Sequence, residues 1–446
     1  MKKNKKILIG FAVLISLLII LPFLIPVETY LRQAEKLASE KLHTKVSIGN
    51  GHIAFLPTVR LSIDEMKVGN DDEVIIEKVE IIPTISSIFS DNKTIDVKVT
   101  KPVIKKSALE LLAVLTQDTA DEKSASPVNL RRIYINGLTL IWPDMKLPVI
   151  DAEAAFINGT QLESAMLETN DGQLQVHVDP DGDHQKFEVK ATDWISPVSL
   201  PVHIDSATLT GVLKEDALDI TNIDISLYRG RLTGNTLLTW SNKWKLNGKL
   251  DVKNLAVEKP SRLVSESVYL SGNLFGNGRF SATAKDAGAL ADNLQADFKF
   301  KVNDGVLHGL DLLKMASLLV KQNQQGDMTQ FEELSGVLKT SGKQHHLRDL
   351  KVSSGLLAAS GQVKVKPNDT LDGEVEVEVK NSVSLAAIPL VISGTVKNPT
   401  VYPSKSVIAG AVAGTALLGP GVGTSLGMKA GSALNRIKES FGSQNP

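Results

Sequence analysis

The sequence predicts a mainly β protein: an N-terminal transmembrane helix, then an elongated, curved antiparallel β groove with a few short helices and a C-terminal helical tail. Three observations predict it. An uncharged apolar run fills residues 7–26. Beyond it, apolar and polar residues alternate with a period of two in segment after segment. Between those segments stand Asn-Gly and Asp-Gly pairs, such as Asn136-Gly137, Asp181-Gly182 and Asp372-Gly373, which favour tight hairpin turns.

The apolar run ILIGFAVLISLLIILPFLIP follows Lys2, Lys3, Lys5 and Lys6. At about 1.5 Å per residue it crosses a hydrocarbon core of roughly 30 Å. A cleaved signal peptide would have a shorter apolar core and a small-x-small site after it. Here VETYLRQAEKL follows, so the run reads as a retained single-pass anchor. The lysines place the N-terminus in the cytoplasm and the rest of the chain across the membrane.

Val27–Leu42 is predicted to be a helix beside the membrane, with Leu31, Ala34, Leu37, Ala38 and Leu42 along one stripe. Strands then take over. Residues 60–64 (RLSID), 94–99 (TIDVKV), 173–178 (QLQVHV), 205–213 (DSATLTGVL) and 374–380 (EVEVEVK) all alternate. Helical patterns return at 107–115 and 309–321, and the polar TQDTADEKSAS at 116–126 reads as a linker. The expected segments are an anchor (1–26), an N-terminal segment (27–115), a linker (116–127), a central β groove (128–303), a C-terminal segment (304–404) and a glycine-rich helical tail (405–446). Roughly 360 residues at about 14 per strand and turn give on the order of 25 strands, a sheet roughly 120 Å long at about 4.8 Å per strand.

Composition narrows the chemistry. With 446 residues there is room for several domains, and 42% hydrophobic content supplies a core. A net charge of −1 is a poor match to nucleic acid. The absence of cysteine removes disulfides, thiolate catalysis and thiolate zinc sites. Asp179 to His184 (DPDGDH) starts like a calcium loop but has His184 and Lys190 where Gly and Glu are needed, so it reads as a solvated hairpin. His345 and His346 are adjacent in a strand pattern and point to opposite faces. No nucleophile elbow, phosphate loop or zinc-binding helix motif occurs. We therefore expect no enzyme, no metal and no cofactor. Trp240 and Trp244 bracket a turn and read as packing across it, with a lipid- or partner-contacting edge as the alternative.

The positive signal is the quantity of amphipathic strand. An apolar sheet face must be covered by another sheet, by closure into a barrel, or by a ligand. An aliphatic trough suits an acyl chain, at about 0.8 kcal/mol per buried methylene. The candidate lining sets are Leu138, Leu140 and Trp142, then Leu174, Val176 and Val178, then Val375, Val377 and Val379. A one-residue shift of register would turn each set outward. In the tail, residues 407–428 are uncharged, and Gly410, Gly414, Gly419, Gly423, Gly427 and Gly431 recur at near-helical spacing. Such spacing permits close helix contact in a membrane or with a partner. A helix docked on the body itself is the alternative.

These patterns resemble the AsmA family of the Gram-negative envelope. The resemblance rests on GHIAFLPTVRLSIDEMKVG at 51–69, ISSIF at 85–89, VTKPVI at 99–104 and ISLYRGRLTG at 225–234. Near the C-terminus it rests on DGVLHGLDLL at 304–313, residues 331–336, LKVSSG at 350–355, ASG at 359–361 and IPLVISGTVKNP at 388–399. The tail after Ser404 is not part of the family's core pattern. The resemblance implies an inner-membrane anchor, a periplasmic body, a long β groove like that of bridge-like lipid transfer proteins, and a role in outer-membrane lipid homeostasis and envelope assembly. It implies phospholipid as ligand, with an outer-membrane or envelope protein as a partner of the tail. A scaffold or assembly factor for outer-membrane proteins, with a closed core and no lipid, is the alternative.

Overall fold

Residues 27–87, 93–108, 128–143, 145–159, 161–197, 201–316, 328–380, 387–410 and 432 are described by the structure, a computed structural model. The apolar run 7–26, most of the helical pattern at 107–115, the linker at 116–126, the end of the 309–321 helix and the tail from 411, including Gly414, Gly419, Gly423 and Gly427, lie outside the described residues; so does Gly431. Among the described residues no helix is long and apolar enough to cross a membrane.

The architecture is mainly β, with 23 strands in an unclosed, mixed sheet arrangement among the described residues. The chain forms two compact units, residues 1–201 and 202–446. The N-terminal unit holds helix α1 (Val27–Leu42) and strands β1 (Val46–Ile48), β2 (Gly51–Ala54), β3 (Arg60–Val68), β4 (Val74–Pro83), β5 (Lys93–Lys105), β6 (Val128–Trp142), β7 (Met145–Lys146), β8 (Ile150–Ile157), β9 (Gln161–Thr169), β10 (Leu174–Asp181) and β11 (His184–Ile195). The C-terminal unit holds β12 (His203–Lys214), β13 (Ala217–Leu227), β14 (Gly230–Thr239), β15 (Trp244–Ala256), helix α2 (Glu258–Val264), β16 (Tyr269–Ala284), β17 (Gln295–His308), helix α3 (Leu312–Ala316), β18 (Met328–Ser341), β19 (Gln344–Ser353), β20 (Leu357–Val365), β21 (Leu371–Val379), β22 (Ile388–Gly394) and β23 (Pro399–Pro403).

Among the described residues, the paired strands run antiparallel with one exception, which corrects the expectation of a purely antiparallel sheet. Strands β5 and β6 run parallel, with Val97 opposite Ile133 and Val99 opposite Ile135. A parallel pair needs a long crossover, and residues 106–127 supply it. The polar stretch read as a linker thus joins two paired strands.

Register turns alternation into faces. In the N-terminal unit one row runs Ile63, Val79, Val99, Ile135, Ala152, Leu167, Val176 and Val189 from β3 to β11. The row one position over runs Ser62, Glu80, Lys98, Tyr134 and Glu153. In the C-terminal unit Val302, Leu334, Val352, Ala359, Val377 and Ile388 form an apolar row, and Lys301, Ser335, Lys351, Ser360 and Glu376 form its polar neighbour. Each unit therefore presents one apolar and one charged face.

Helix α1 forms as expected but packs by a different side. Val27 and Leu31 are buried with Ile63, while Ala34 and Leu37 face solvent. The reason is polar. Glu35 accepts the Ile48 N–H at 3.1 Å, and Ser39 accepts the Val46 N–H at 3.0 Å. Those bonds satisfy the edge of β1 and turn Val27, Leu31, Glu35 and Ser39 toward the sheet.

Candidate functional site

The sequence-derived lining residues all belong to apolar rows, and their surroundings differ. Leu174, Val176 and Val178 stand opposite Ala191, Val189 and Phe187 and are half-buried. Leu138 is opposite Ile150 and Leu140 opposite Ile104. Trp142 follows in the same alternation, half-buried and opposite Met145. In the C-terminal unit Val377 is 0% exposed, in a packed cluster with Leu312, Leu357, Ala359 and Leu390, against which Val375 and Val379 also pack. Val377 is thus part of a filled core, and of the nine residues only Val375 borders the cavity described next.

That cavity, about 340 Å³ in volume, lies in the C-terminal unit. Its size is at the lower end of small-molecule sites, roughly 300–1,000 Å³. Leu270 of β16 and Val401 of β23 both border it. Laid flat, eight strands would set those residues about 34 Å apart, against roughly 7 Å for the edge of a cube of this volume. The sheet from β16 to β23 therefore curls until its two ends face one cavity. A polar latch accompanies the curl: Ser265 and Ser267, just before β16, donate to the Lys397 carbonyl at 3.1 and 2.6 Å, in the turn before β23.

The walls are aliphatic and aromatic. Phe300, Phe331, Leu334, Leu347, Leu350 and Val352 come from β17, β18 and β19. Size alternates across the strands. A Cβ on Gly305 would lie 2.3 Å from Phe331 Cζ, and one on Gly336 would lie 2.8 Å from Leu350 Cδ2 and 3.0 Å from Phe300 Cζ. Glycine at these two places lets a ring lie directly on the neighbouring strand. Helix α3 closes one side. The Thr329 hydroxyl donates to the Leu310 carbonyl at 2.8 Å and accepts the Leu312 N–H at 2.9 Å, so this wall hydroxyl is occupied and the helix start is pinned.

Polar clusters elsewhere are structural in form. His345 bonds Thr340 at 3.0 Å and His346 bonds Gln362 at 2.9 Å, on different sides of β19. The DPDGDH segment is a tight hairpin with Asp181 opposite His184, braced by Lys186 at 3.0 Å from Asp181. The Trp240 and Trp244 rings pack with centroids 5.5 Å apart. Among the described residues no group of three or more His, Asp or Glu is placed to hold a metal ion.

Phe300, which lines the cavity, sits in Phe298-Lys-Phe300-Lys-Val302, a strict alternation with two aromatics that the lining sets above did not include. Gly410 is the last described residue of a helical stretch that begins at Lys405, with Val407 buried. No protein-family model matches the chain, and no curated protein matches it.

Proposed function

We propose that this protein is held in the inner membrane by residues 7–26, with a periplasmic body that binds phospholipid acyl chains on its apolar sheet faces. In this reading it guides lipid between inner and outer membranes and so supports outer-membrane lipid homeostasis and envelope assembly. The observation that carries the reading is the 340 Å³ cavity, walled by apolar side chains and bordered by strands from β16 to β23. An acyl chain is the ligand class such a wall suits. It has no polar group to satisfy, and each methylene moved from water is favourable by about 0.8 kcal/mol. The headgroup would stay in water, and no covalent step is required.

The packed cluster around Val377 and Leu390, with no exposed surface on either, supports a second reading at that end of the unit: a closed core serving a scaffold for outer-membrane protein assembly. Cavity filling separates the two. In Leu347→Trp and Leu350→Trp variants of the full chain, reconstituted in lipid nanodiscs, a phospholipid with a fluorescent acyl chain should lose its protein-dependent emission, with circular dichroism unchanged. Equal emission from wild type and both variants would favour the scaffold.

A further inference from the structure

We infer that the β2–β3 turn and the short turn Ile85–Ser87 after β4 form a membrane seat on the N-terminal unit, inserting Leu56 and Ile85 into the headgroup–acyl boundary of the bilayer that anchors the chain. The inference rests on the reading of residues 7–26 as a membrane span.

The first observation is exposure. Ile85 and Leu56 are the most exposed large apolar side chains among the described residues, at 77% and 74%. The second is position. Strand β3 begins at Arg60 and β4 ends at Pro83, with Leu61 opposite Ile81, so both turns lie at one end of the ladder. Val128 and Ile157, also exposed, lie at this same end, because β6 starts there and β8 finishes there.

The third observation is the direction of α1. Ser39 sits beside Val46, which pairs with Val68; Glu35 sits beside Ile48, which pairs with Met66. Leu31 and Val27 then lie against Gly51, which pairs with Ile63. Traced backward, α1 climbs toward the Arg60 end, and the apolar run ends one residue before Val27. A span that ends at residue 26 fixes Val27 at the bilayer surface. From Gly51, beside Val27, the chain runs five further residues to Leu56, at most about 16 Å at strand rise. The tips therefore reach back to the depth of the headgroups and the first methylenes. Tyr30, in the first turn of α1 and 66% exposed, is the residue type that favours this zone.

The turns are built to hold apolar tips outward. FLPTV at 55–59 carries no charge. Arg60 donates to the Leu56 carbonyl at 2.7 Å, and its Nε meets Glu80 at 3.0 Å, so the nearest charge is paired and the turn is braced. The second turn is closed by the Thr84 N–H on the Thr94 carbonyl at 2.8 Å, with Ser87 donating to that carbonyl at 3.0 Å. The acidic hairpin with Asp179, Asp181 and Asp183 is at the same end but at the far side of the ladder, which limits the seat to the strands next to α1. The partner these features fit is a lipid surface.

The chain has no cysteine, so single cysteines report cleanly. Leu18→Cys, Leu56→Cys, Ile85→Cys, Ile141→Cys and Ile195→Cys are labelled with an environment-sensitive fluorophore in the full chain. Each is reconstituted in vesicles of phosphatidylethanolamine and phosphatidylglycerol with and without acyl-chain nitroxide lipid. Positions 141 and 195 are exposed at the opposite ends of β6 and β11. Blue-shifted, nitroxide-quenched emission at 18, 56 and 85, with none at 141 and 195, is the expected result. Quenching at 18 with either 56 or 85 unquenched overturns the seat and leaves the anchor. Quenching at 141 and 195 as well overturns end-on seating. No quenching at 18 overturns the anchor, and the seat with it.

Discussion

The two units are written in the same alternating code, yet they treat their apolar faces differently. In the N-terminal unit the row from Val79 through Val99, Ile135, Ala152, Leu167 and Val176 to Val189 stays half-buried along its length. Among the described residues of this unit, the larger apolar side chains that are fully buried lie at α1 and the strands beside it, Val27, Leu31, Val46 and Ile63; the other fully buried apolar residues are Ala108, Ala155 and Ala191. In the C-terminal unit Val302, Phe331, Val377 and Leu390 are almost wholly removed from solvent, and a cavity lies among their neighbours. Two things account for the difference. Side-chain size alternates sharply in the second unit, with rings over Gly305 and Gly336. A long-range latch, Ser265 and Ser267 on Lys397, accompanies the curl of the sheet there. Alternation alone makes a two-faced sheet; size variation and a latch turn that sheet into an enclosure.

The largest expected contrast comes from a charge placed on each face. Val377→Asp puts an unpaired carboxylate in a sealed core and should cost about 4 kcal/mol or more, whereas Val176→Asp, half-buried, should cost about 1–2 kcal/mol. Urea unfolding separates the two, because Trp142 and Trp194 report one unit and Trp240 and Trp244 the other. Equal costs would remove the distinction between the faces.

Next in size is Gly305→Val, which forces Phe331 off the strand and should destabilise the C-terminal unit by about 1–3 kcal/mol. The transition followed by Trp142 and Trp194 should not move. The latch is smaller. Ser265→Ala with Ser267→Ala should cost about 0.5–1.5 kcal/mol per bond and speed amide exchange in the turn before β23. An unchanged exchange pattern there would show that the curl does not depend on the latch.

The smallest effect is acid sensitivity, and it should appear in both units. The hydrogen bond from Lys301 holds the Glu333 carboxyl below its ordinary range, and the hydrogen bonds from the Thr169 hydroxyl and the Gln173 N–H do the same for Asp171. A carboxyl whose folded pKa is depressed stabilises fully above its unfolded pKa, about 4, and loses that contribution as pH falls through the lowered value. Glu333→Gln and Asp171→Asn should therefore lower the melting temperature slightly at pH 7 and leave it unchanged at a pH below the depressed values, which flattens its fall with acid.

Much of this fold was legible in the alternation. The period of two located strands and faces, so that Leu174, Val176 and Val178 share the apolar row with Leu167, and Glu374, Glu376 and Glu378 lie on the other side of β21 from Val375 and Val377. The helix at Val27–Leu42 was legible too, but its packed side was set by hydrogen bonds from Glu35 and Ser39, which a hydrophobic stripe does not register. The parallel β5–β6 pair left no local mark, because a strand's own alternation does not encode the direction of its neighbour. The cavity was legible least. Its closure joins Ser265 to Lys397, 132 residues apart, and no local period encodes such a contact.

The central claim is that the C-terminal unit's cavity holds an acyl chain, and site-mapped photo-crosslinking tests it most directly. The full chain in nanodiscs carrying phospholipid with a terminal acyl diazirine would be irradiated, digested and mapped by mass spectrometry. The account predicts adducts on the peptides holding Phe300, Leu334, Leu350 and Val352, lost in Leu350→Trp. Adducts confined to the peptide of residues 7–26, with the cavity peptides unmodified, would contradict it.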